Sequence, residues 1–355
     1  MPAALQHGPR PLPLFLNILW RETEGDPALR LRAMEGLRRY QGANRPPRPP
    51  MPAASAQVGA TKLLHYGSVK EATNDNRRAP VLLVPSLVNP PYVLDLAEGQ
   101  SLLRFLAHAG HDPWLINWGT PAQEDAALTL AQHVEQRLLP LIAKLPAPPV
   151  IVGYCLGGIM ALGAAAIAAG TVAVATIAAP WDFGRMDDSA RTQVASLWAE
   201  AAPLCQRLGY VPMEVLQSGF WSLDPARTVR KYAAFADMVP GSAAERAFLA
   251  LEDWANAGPP LTYGAASELF EQLYGANSTG LGTWQVAGRP VLPESLACPT
   301  LAINSTTDRI VPAATAPILS EQWSLAQGHV GMIVGRRASE MLWNPLSRWL
   351  ANLGA

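Results

Sequence analysis

The hydrophobic and polar residues of this chain follow two spacings, and the two spacings alternate along most of its length. Short apolar runs bounded by Gly, Pro or polar residues predict buried strands, and longer segments with apolar residues three or four apart predict helices. The predicted strands are 81–84, 114–118, 150–152, 172–178 and 299–304, and the predicted helices are 101–109, 128–144, 159–166 and 338–353. Strands that alternate with helices form a mostly parallel sheet with helices on both faces.

One strand-to-helix junction has an unusual composition. Residues 150–160 read V-I-V-G-Y-C-L-G-G-I-M, so a β-branched strand must turn into a helix within a Gly-rich hexapeptide. The arrangement G-x-C-x-G-G resembles the nucleophile elbow of α/β-hydrolases, where a strained turn presents the nucleophile, usually serine, between small residues. The pattern predicts an α/β-hydrolase fold with Cys155 at the nucleophile position.

A cysteine at this position changes the expected chemistry. A thiol is intrinsically more nucleophilic than a hydroxyl, so Cys155 favours thioester over ester chemistry. The alternative is that Cys155 is only a small buried apolar residue in a Gly-rich turn. The hexapeptide alone leaves both interpretations open.

The order of residues along the chain selects the base and the acid that would act with Cys155. In this fold the order is nucleophile, acid, histidine, and of the six histidines only His329 follows Cys155. Asp308 follows the predicted strand 299–304 and could hold the imidazole in the required tautomer. Its rival Asp182, in P-W-D-F, lies where a cap would begin, and we expect a structural or cap-positioning role for it.

Two backbone N–H groups would complete the site as an oxyanion hole. We expect one from Leu156, directly after the nucleophile, and one from Leu87, in the loop after the strand 81–84. His108 and His111 have helical spacing but lack a third ligand of suitable spacing, so no metal site is predicted.

The alternation of strands and helices stops in the middle of the chain, which predicts three parts. Residues 61–182 and 293–355 form the catalytic core, and 183–292 form an inserted helical cap. Residues 1–60 form a helical arm and a stiff Pro-rich linker at 45–52. The arm helix 28–40 either binds a partner or packs on its own domain; its predicted apolar face is formed by Leu29, Met34, Leu37 and Tyr40.

The overall composition excludes some functions. Lys and Arg (27) nearly balance Asp and Glu (28), so no charged field would attract nucleic acid or an anionic membrane. Three cysteines without a C-x-x-C pair predict neither a disulfide framework nor a zinc site, and they suit a reducing cytoplasm. Pro residues near the N-terminus disfavour an export signal. The uncharged stretch 145–181 is interrupted by Pro and Gly, and we expect a buried strand, helix and strand rather than a membrane span.

A series of short motifs gives the chain a family resemblance. In order, these are V-N-P-P-Y-V-L-D-L, S-L-L-R-F-L, I-N-W-G-T-P, G-Y-C-L-G-G, A-A-P-W-D-F, F-W-S-L-D-P, L-E-D-W, V-A-G-R-P-V-L-P-E-S-L-A-C-P-T, T-D-R-I-V-P and G-H-V-G-M. The series, from about residue 81 to 335, resembles the polyhydroxyalkanoate synthases, above all the short form that works with an accessory subunit. The resemblance implies that Cys155, Asp308 and His329 are the catalytic residues.

The resemblance also implies a reaction and partners. A 3-hydroxyacyl group would pass from coenzyme A to Cys155 and then join a growing polyester, under a Trp-rich cap that excludes water. The acyl-coenzyme A is the substrate, and no cofactor is expected. A cytoplasmic enzyme at the polyester granule surface is implied. The requirement for an accessory subunit, the formation of a homodimer and the acyl chain length stay open.

Three departures from the family pattern bear on the polymerase expectation. Arg309 stands where the family commonly has His, and the segment between Asp308 and His329 is short enough to lack a strand. We also expect no counterpart of the long N-terminal domain of the large synthases. Two alternatives therefore remain: a cysteine hydrolase (esterase, thioesterase or polyester depolymerase) and an inactive granule-binding relative.

Overall fold

The fold was analysed in a computed structural model that describes residues 7–45, 47–67 and 79–353. The prediction about an export signal concerns, in part, residues 1–6, which lie outside the described residues, as does Pro46 of the predicted linker. Among the described residues, no helix combines the length and the apolar character that crossing a membrane requires.

An eight-stranded sheet forms the centre of the molecule. Its strands are β1 (Ala54–Val58), β2 (Thr61–His65), β3 (Pro80–Val84), β4 (Asp112–Asn117), β5 (Val150–Tyr154), β6 (Ala173–Ile177), β7 (Thr300–Ser305) and β8 (Glu321–Leu325). They lie in the order β1-β2-β4-β3-β5-β6-β7-β8. β1 and β2 pair antiparallel at one edge, and all strands from β4 to β8 run parallel.

Helices cover both faces of the sheet and fill the middle of the chain. The α-helices are α1 (Leu12–Glu22), α2 (Pro27–Gly42), α3 (Leu102–His108), α4 (Leu130–His133), α5 (Leu139–Ile142), α6 (Leu156–Ile167), α7 (Asp188–Leu208), α8 (Met213–Leu223), α9 (Pro225–Ala236), α10 (Ala243–Ala255), α11 (Tyr263–Ser267), α12 (Gly331–Val334) and α13 (Asn344–Asn352). Three π-helical segments extend helices, at Val134–Leu138, Glu268–Gly275 and Ser339–Trp343. Short 3-10 segments are Pro91–Leu94, Gln123–Asp125, Phe183–Arg185, Pro293–Ser295 and Ala313–Thr315.

Three two-stranded ribbons complete the secondary structure. They pair Asp95–Ala97 with Gln100–Ser101, Tyr210–Val211 with Leu261–Thr262, and Gln285–Val286 with Arg289–Pro290. The mostly parallel sheet with surrounding helices confirms the predicted fold class.

The predicted central strands agree with the observed ones, but edge strands were missed. β3 and β5 are buried at every position because helices cover both faces, and such strands read as continuous apolar runs. β8, with the sequence E-Q-W-S-L, lies between Asp308 and His329, so the expectation that the segment between these residues lacks a strand is wrong. The strand was missed because it is mostly exposed and has no apolar run. β1 is also mostly exposed, and its sequence likewise lacks an apolar run that would predict a strand. The sheet therefore starts at Ala54, before the predicted core boundary at residue 61.

The N-terminal arm packs on helix α9 of the middle segment. Phe15 and Tyr40 are buried against Tyr232, with ring centroids 4.9 and 5.7 Å from its ring. A Cβ on Gly36 would lie 1.8 Å from the carbonyl oxygen of Tyr232, so glycine permits the close approach of α2 to α9. The buried face of α2 differs from the predicted one, because Met34 is exposed.

Ion pairs join the arm to helix α10. Arg39 contacts Glu245 at 2.5 Å, and Arg45 contacts Asp253 at 3.1 Å. The Tyr40 hydroxyl donates to Asp253 at 2.6 Å. Because all of these groups are at least half-buried, the arm is an integral layer of the molecule.

Asp95 joins two of the sequence motifs, and its substitution is expected to destabilise the fold. Its fully buried carboxylate accepts hydrogen bonds from Arg104 at 2.8 and 2.9 Å and from the Tyr66 hydroxyl at 3.1 Å. Removing one partner of a buried pair leaves the other charge uncompensated, so Asp95→Asn should lower the free energy of unfolding by about 3 kcal/mol. Urea denaturation measures this change. Asp188→Asn, at an exposed carboxylate, is the matched control, and equal midpoints for both variants would contradict the prediction.

Candidate active site

The elbow between β5 and α6 holds Cys155 in a strained backbone conformation. Its φ of 54° and ψ of −128° lie in a region that residues with a side chain rarely adopt. The Cys155 N–H donates to the carbonyl of Ile177 at 2.9 Å, and the Cys155 carbonyl accepts from Gly158 at 2.8 Å. These bonds fix the residue at the carboxyl end of the central strand, where ligands bind in open α/β sheets.

Two glycines of the elbow allow backbone segments to touch. A Cβ on Gly157 would lie 2.1 Å from the carbonyl oxygen of Val84 and 2.5 Å from that of Pro85. A Cβ on Gly153 would lie 2.4 Å from the Cα of Gly158. The glycines therefore bring the loop after β3 directly against the start of α6.

Asp308 and His329 meet in a short hydrogen bond. The Nδ1 of His329 lies 2.6 Å from Oδ2 of Asp308, and both side chains are buried. The other oxygen, Oδ1, accepts from the N–H groups of Ile310 at 2.8 Å and Val311 at 3.0 Å. With its carboxylate held by its own loop, Asp308 directs the Nδ1 proton of His329 and leaves Nε2 for another partner.

Strand β8 makes this meeting possible. Asp308 follows β7 and His329 follows β8, and the two strands pair in parallel from Leu301↔Glu321 to Ser305↔Leu325. Parallel neighbours end at the same edge of the sheet, so the two loops lie side by side. Although the segment between Asp308 and His329 is short, it contains β8, and the two side chains are therefore in contact.

The electrostatics of His329 bring Cys155 into the same site. Burial lowers the pKa of His329, but the charge on Cys155, the hydrogen bonds to Asp308 and Cys155, and the Asp308 charge together raise it to about 10. The protonated imidazole of His329 is therefore favoured beside Asp308 and Cys155. The structure brings Cys155, Asp308 and His329 together.

The dependence of His329 on Cys155 gives a testable prediction. Replacing Cys155 with Ala removes the charge and the hydrogen bond that raise the pKa, while burial still lowers it, so the pKa of His329 should fall. NMR titration of the imidazole in both proteins measures the shift. The exposed His108 is an internal control, and an unchanged His329 pKa would show that the sulfur does not interact with it.

Two tyrosines of this region were not expected from the sequence. The ring of Tyr154 lies 5.3 Å from that of His329, and its hydroxyl donates to the His329 carbonyl at 3.4 Å. Burial and then the charge on Cys155 raise the pKa of Tyr274, which lies in the π-helical segment Glu268–Gly275. Tyr154 could have been found as the neighbour of Cys155, whereas nothing in the sequence singles out Tyr274.

The loop that carries Leu87 is held from three sides. The Trp118 indole donates to the Pro85 carbonyl at 2.9 Å, and the Val88 N–H donates to Ser86 Oγ at 3.0 Å. Asn89, with a φ of 65°, donates from its side chain to the carbonyls of residues 255 and 257 at 3.2 and 3.1 Å. Leu156 is the first residue of α6, which the same loop contacts through Gly157.

Asp182 and the histidine pair have other partners. The Asp182 carboxylate accepts from Asn277 at 2.9 Å and from Arg185 at 2.9 Å, so it joins the end of β6 to the middle segment. His111 contacts Ser347 Oγ at 2.8 Å, and His108 contacts the carbonyl of Arg104. Across the described residues, no group of three or more His, Cys, Asp or Glu side chains could hold a metal ion.

Tryptophans of the middle segment hold that segment together and attach it to the core. Trp254 donates to the Pro90 carbonyl at 2.8 Å, Trp284 to Glu268 at 2.6 Å and Trp198 to Glu271 at 2.8 Å. The buried indoles of Trp198 and Trp284 therefore hold the π-helical segment that carries Tyr274, and that of Trp254 attaches α10 to the loop after β3.

Comparison with solved structures supports the fold. The chain aligns with a carboxylesterase structure from Nitrososphaera gargenis with a TM-score of 0.51 and 16% identity, over 86% of this chain and 98% of that chain. The sheet order, together with this similarity, defines an α/β-hydrolase-fold protein, and Cys155 lies at its strained strand-to-helix elbow.

Comparison with curated proteins identifies the relatives within that class. The chain is 30% identical over 310 residues to the poly(3-hydroxyalkanoate) polymerase subunit PhaC of Haloferax mediterranei, over 82% of this chain and 61% of the relative. It is 28% identical over 305 residues to the subunit of the same name from Thiocystis violacea, over 81% of this chain and 85% of the relative. No family model matches the chain. The chain is thus similar to curated poly(3-hydroxyalkanoate) polymerase subunits, in agreement with the resemblance in the motif series, and it spans about three fifths of the length of the first of them.

Proposed function

We propose that this protein is a polyhydroxyalkanoate synthase-like acyltransferase that moves 3-hydroxyacyl groups from coenzyme A onto a growing polyester. The observation that carries the proposal is the 2.6 Å hydrogen bond between Asp308 and His329 beside Cys155. The arrangement gives the sulfur a base, and the base an orienting carboxylate. The similarity to polymerase subunits supports the substrate class.

The first half-reaction loads the enzyme. The Cys155 thiolate attacks the thioester carbonyl of the 3-hydroxyacyl-coenzyme A, and the C–S bond to coenzyme A breaks. The leaving thiolate takes the proton from the His329 imidazolium. In this proposal the N–H groups of Leu156 and Leu87 stabilise the oxyanion of the tetrahedral intermediate.

The second half-reaction extends the chain. Neutral His329, oriented by Asp308, accepts the proton of the chain-end hydroxyl, whose oxygen attacks the thioester on Cys155. The C–S bond breaks and the thiolate–imidazolium pair is restored. Because the enzyme thioester is close in energy to the substrate thioester, the acyl group stays activated, and a buried site protects it from water.

One assay tests the function. Purified protein receives 3-hydroxybutyryl-coenzyme A, and both coenzyme A release and the form of the product are measured. Insoluble polyester is the expected result. Free 3-hydroxybutyrate would identify a hydrolase, and no release would identify an inactive relative; either outcome overturns the proposal.

The proposal extends to location and assembly. We propose a cytoplasmic protein at the surface of the polyester granule, with an accessory subunit or a second copy as a partner. Adding a purified small synthase subunit of a relative, and measuring mass by light scattering with and without substrate, tests this part.

Arg309, next to the proposed catalytic acid, joins its loop to helix α9 and gives a further prediction. Its Nη1 lies 2.6 Å from Oδ2 of Asp224, whose other oxygen accepts from the Arg227 N–H at the start of α9. Arg309→Gln and Asp224→Asn should each lower kcat/KM by about two- to fivefold, the range of an exposed ion pair. The double variant should lose no more than either single one. Arg337→Gln, at another exposed pair, is the control, and additive losses would show that the contact does not couple the two elements.

A further inference from the structure

A cavity lies between Arg10 of the N-terminal arm and the part of the middle segment that contains the end of α7, the start of α8 and the residues after α10. It has a volume of about 330 Å³, which falls within the range of small-molecule sites. It opens at Leu208 and Arg10, which are exposed, and its inner part contains the buried Met213. Its remaining lining residues are Tyr210, Pro212, Glu214, Asn256, Gly258 and Pro260.

The inner wall of the cavity touches the loop that carries Leu87. A Cβ built on Gly258 would lie 3.4 Å from the Cα of Asn89 and 3.4 Å from the Met213 sulfur. A second, smaller cavity of about 20 Å³ is lined by Leu87 and shares the residue Pro260 with the larger one. The large cavity therefore lies behind the proposed oxyanion loop.

Three polar side chains line the cavity and have hydrogen-bonding capacity to spare. Within the described ranges, the Arg10 guanidinium, the Tyr210 hydroxyl and the Glu214 carboxylate take part in no side-chain hydrogen bond or ion pair with the protein. The backbone N–H of Arg10 donates to the buried Asn256 side chain at 3.1 Å, which fixes Arg10 at the rim. The other walls are apolar.

We infer that this cavity binds a short segment of the 3-hydroxyacyl ester chain. This inference rests on the proposed function. The ester carbonyls of such a chain accept hydrogen bonds, as the donors Arg10 and Tyr210 require. Its alkyl groups suit the apolar walls formed by Leu208 and Met213.

The charge of the cavity favours this neutral ligand over coenzyme A. The positive charge of Arg10 is offset by the negative charge of Glu214 on the same lining. The several phosphate groups of coenzyme A would meet one cation and one anion, whereas an uncharged ester meets no net field. The cavity is thus a chain-binding site rather than a nucleotide site.

Direct binding to an inactive protein tests the inference. The Cys155→Ala protein is titrated by calorimetry with the methyl ester of a linear 3-hydroxybutyrate trimer. We expect binding that becomes at least about tenfold weaker when Arg10→Gln and Tyr210→Phe are added, because the charged guanidinium and the phenol hydroxyl that donate to the ester carbonyls are lost. Tyr210→Phe keeps the aromatic ring, Arg10→Gln shortens a side chain at the exposed rim, and melting curves check that the variants fold.

The controls separate this inference from the proposed function. Arg207→Gln in the Cys155→Ala background removes an exposed arginine that does not line the cavity, and it should leave the trimer affinity unchanged. Three outcomes would overturn the inference. The trimer does not bind, or its affinity is the same with and without the Arg10 and Tyr210 side chains. In the third, coenzyme A displaces the trimer from the protein that has Arg10 and Tyr210 but not from the variant that lacks them. The titration needs no turnover, so trimer binding is measured even if the wild-type protein hydrolyses its substrate.

Discussion

Replacing Cys155 with alanine is expected to abolish coenzyme A release from 3-hydroxybutyryl-coenzyme A. The variant keeps the small side chain that the strained elbow accommodates but lacks the sulfur that would form the thioester. Loss of a nucleophile that acts as one unit with its base costs roughly four to six orders of magnitude in kcat. Initial rates of coenzyme A release, measured with a thiol reagent, give this ratio.

Two further variants make the result specific. Cys298→Ala removes a half-buried thiol outside the elbow and should keep near wild-type activity. Cys155→Ser is informative about the type of reaction, since hydrolysis without polymerisation in this variant favours the hydrolase alternative. Retained turnover in Cys155→Ala would remove the nucleophile assignment and return Cys155 to the role of a small buried residue.

His329→Gln is expected to have the second largest effect, a loss of about 10² to 10⁴ in kcat with the fold intact. The amide cannot take up the proton of the thiol or of the chain-end hydroxyl, which is the contribution of a positioned base. His108→Gln, at an exposed ring bonded to a backbone carbonyl, is the matched control and should retain wild-type rates.

The pH dependence separates a missing base from a disturbed fold. In the wild type the His329 imidazolium is favoured below the His329 pKa of about 10, and it is lost as pH rises through that value. His329→Gln lacks this titrating group, so the change in rate that the wild type shows near that pH should be absent from the variant. Wild-type turnover, or an unchanged pH profile, would show that another base operates.

The sequence was sufficient to predict features that depend on residues close together in the chain. The apolar runs of β3 and β5 are complete because both faces of these strands are buried, and the glycines around Cys155 are required by contacts within the elbow itself. Chain order then selected His329 and Asp308, which the structure places 2.6 Å apart. Their catalytic roles stay a proposal.

The sequence was misleading where one face of an element is exposed. The edge strands β1 and β8 carry polar residues, so their pairing depends on neighbours that are distant in sequence. Met34 has the helical spacing of a buried residue, yet Gly36 faces α9 because the two helices approach closely there.

By itself, the sequence determined the strained turn at Cys155, the parallel core and the order in which nucleophile, acid and base follow one another. These features are local, since they follow from turn chemistry and from periodicity within short segments. Only the tertiary structure decided that β8 seats His329 against Asp308, that Asn89 ties the Leu87 loop to α10, and that the arm closes one side of a cavity. Each of these depends on contacts between residues far apart in the chain, which no local pattern encodes.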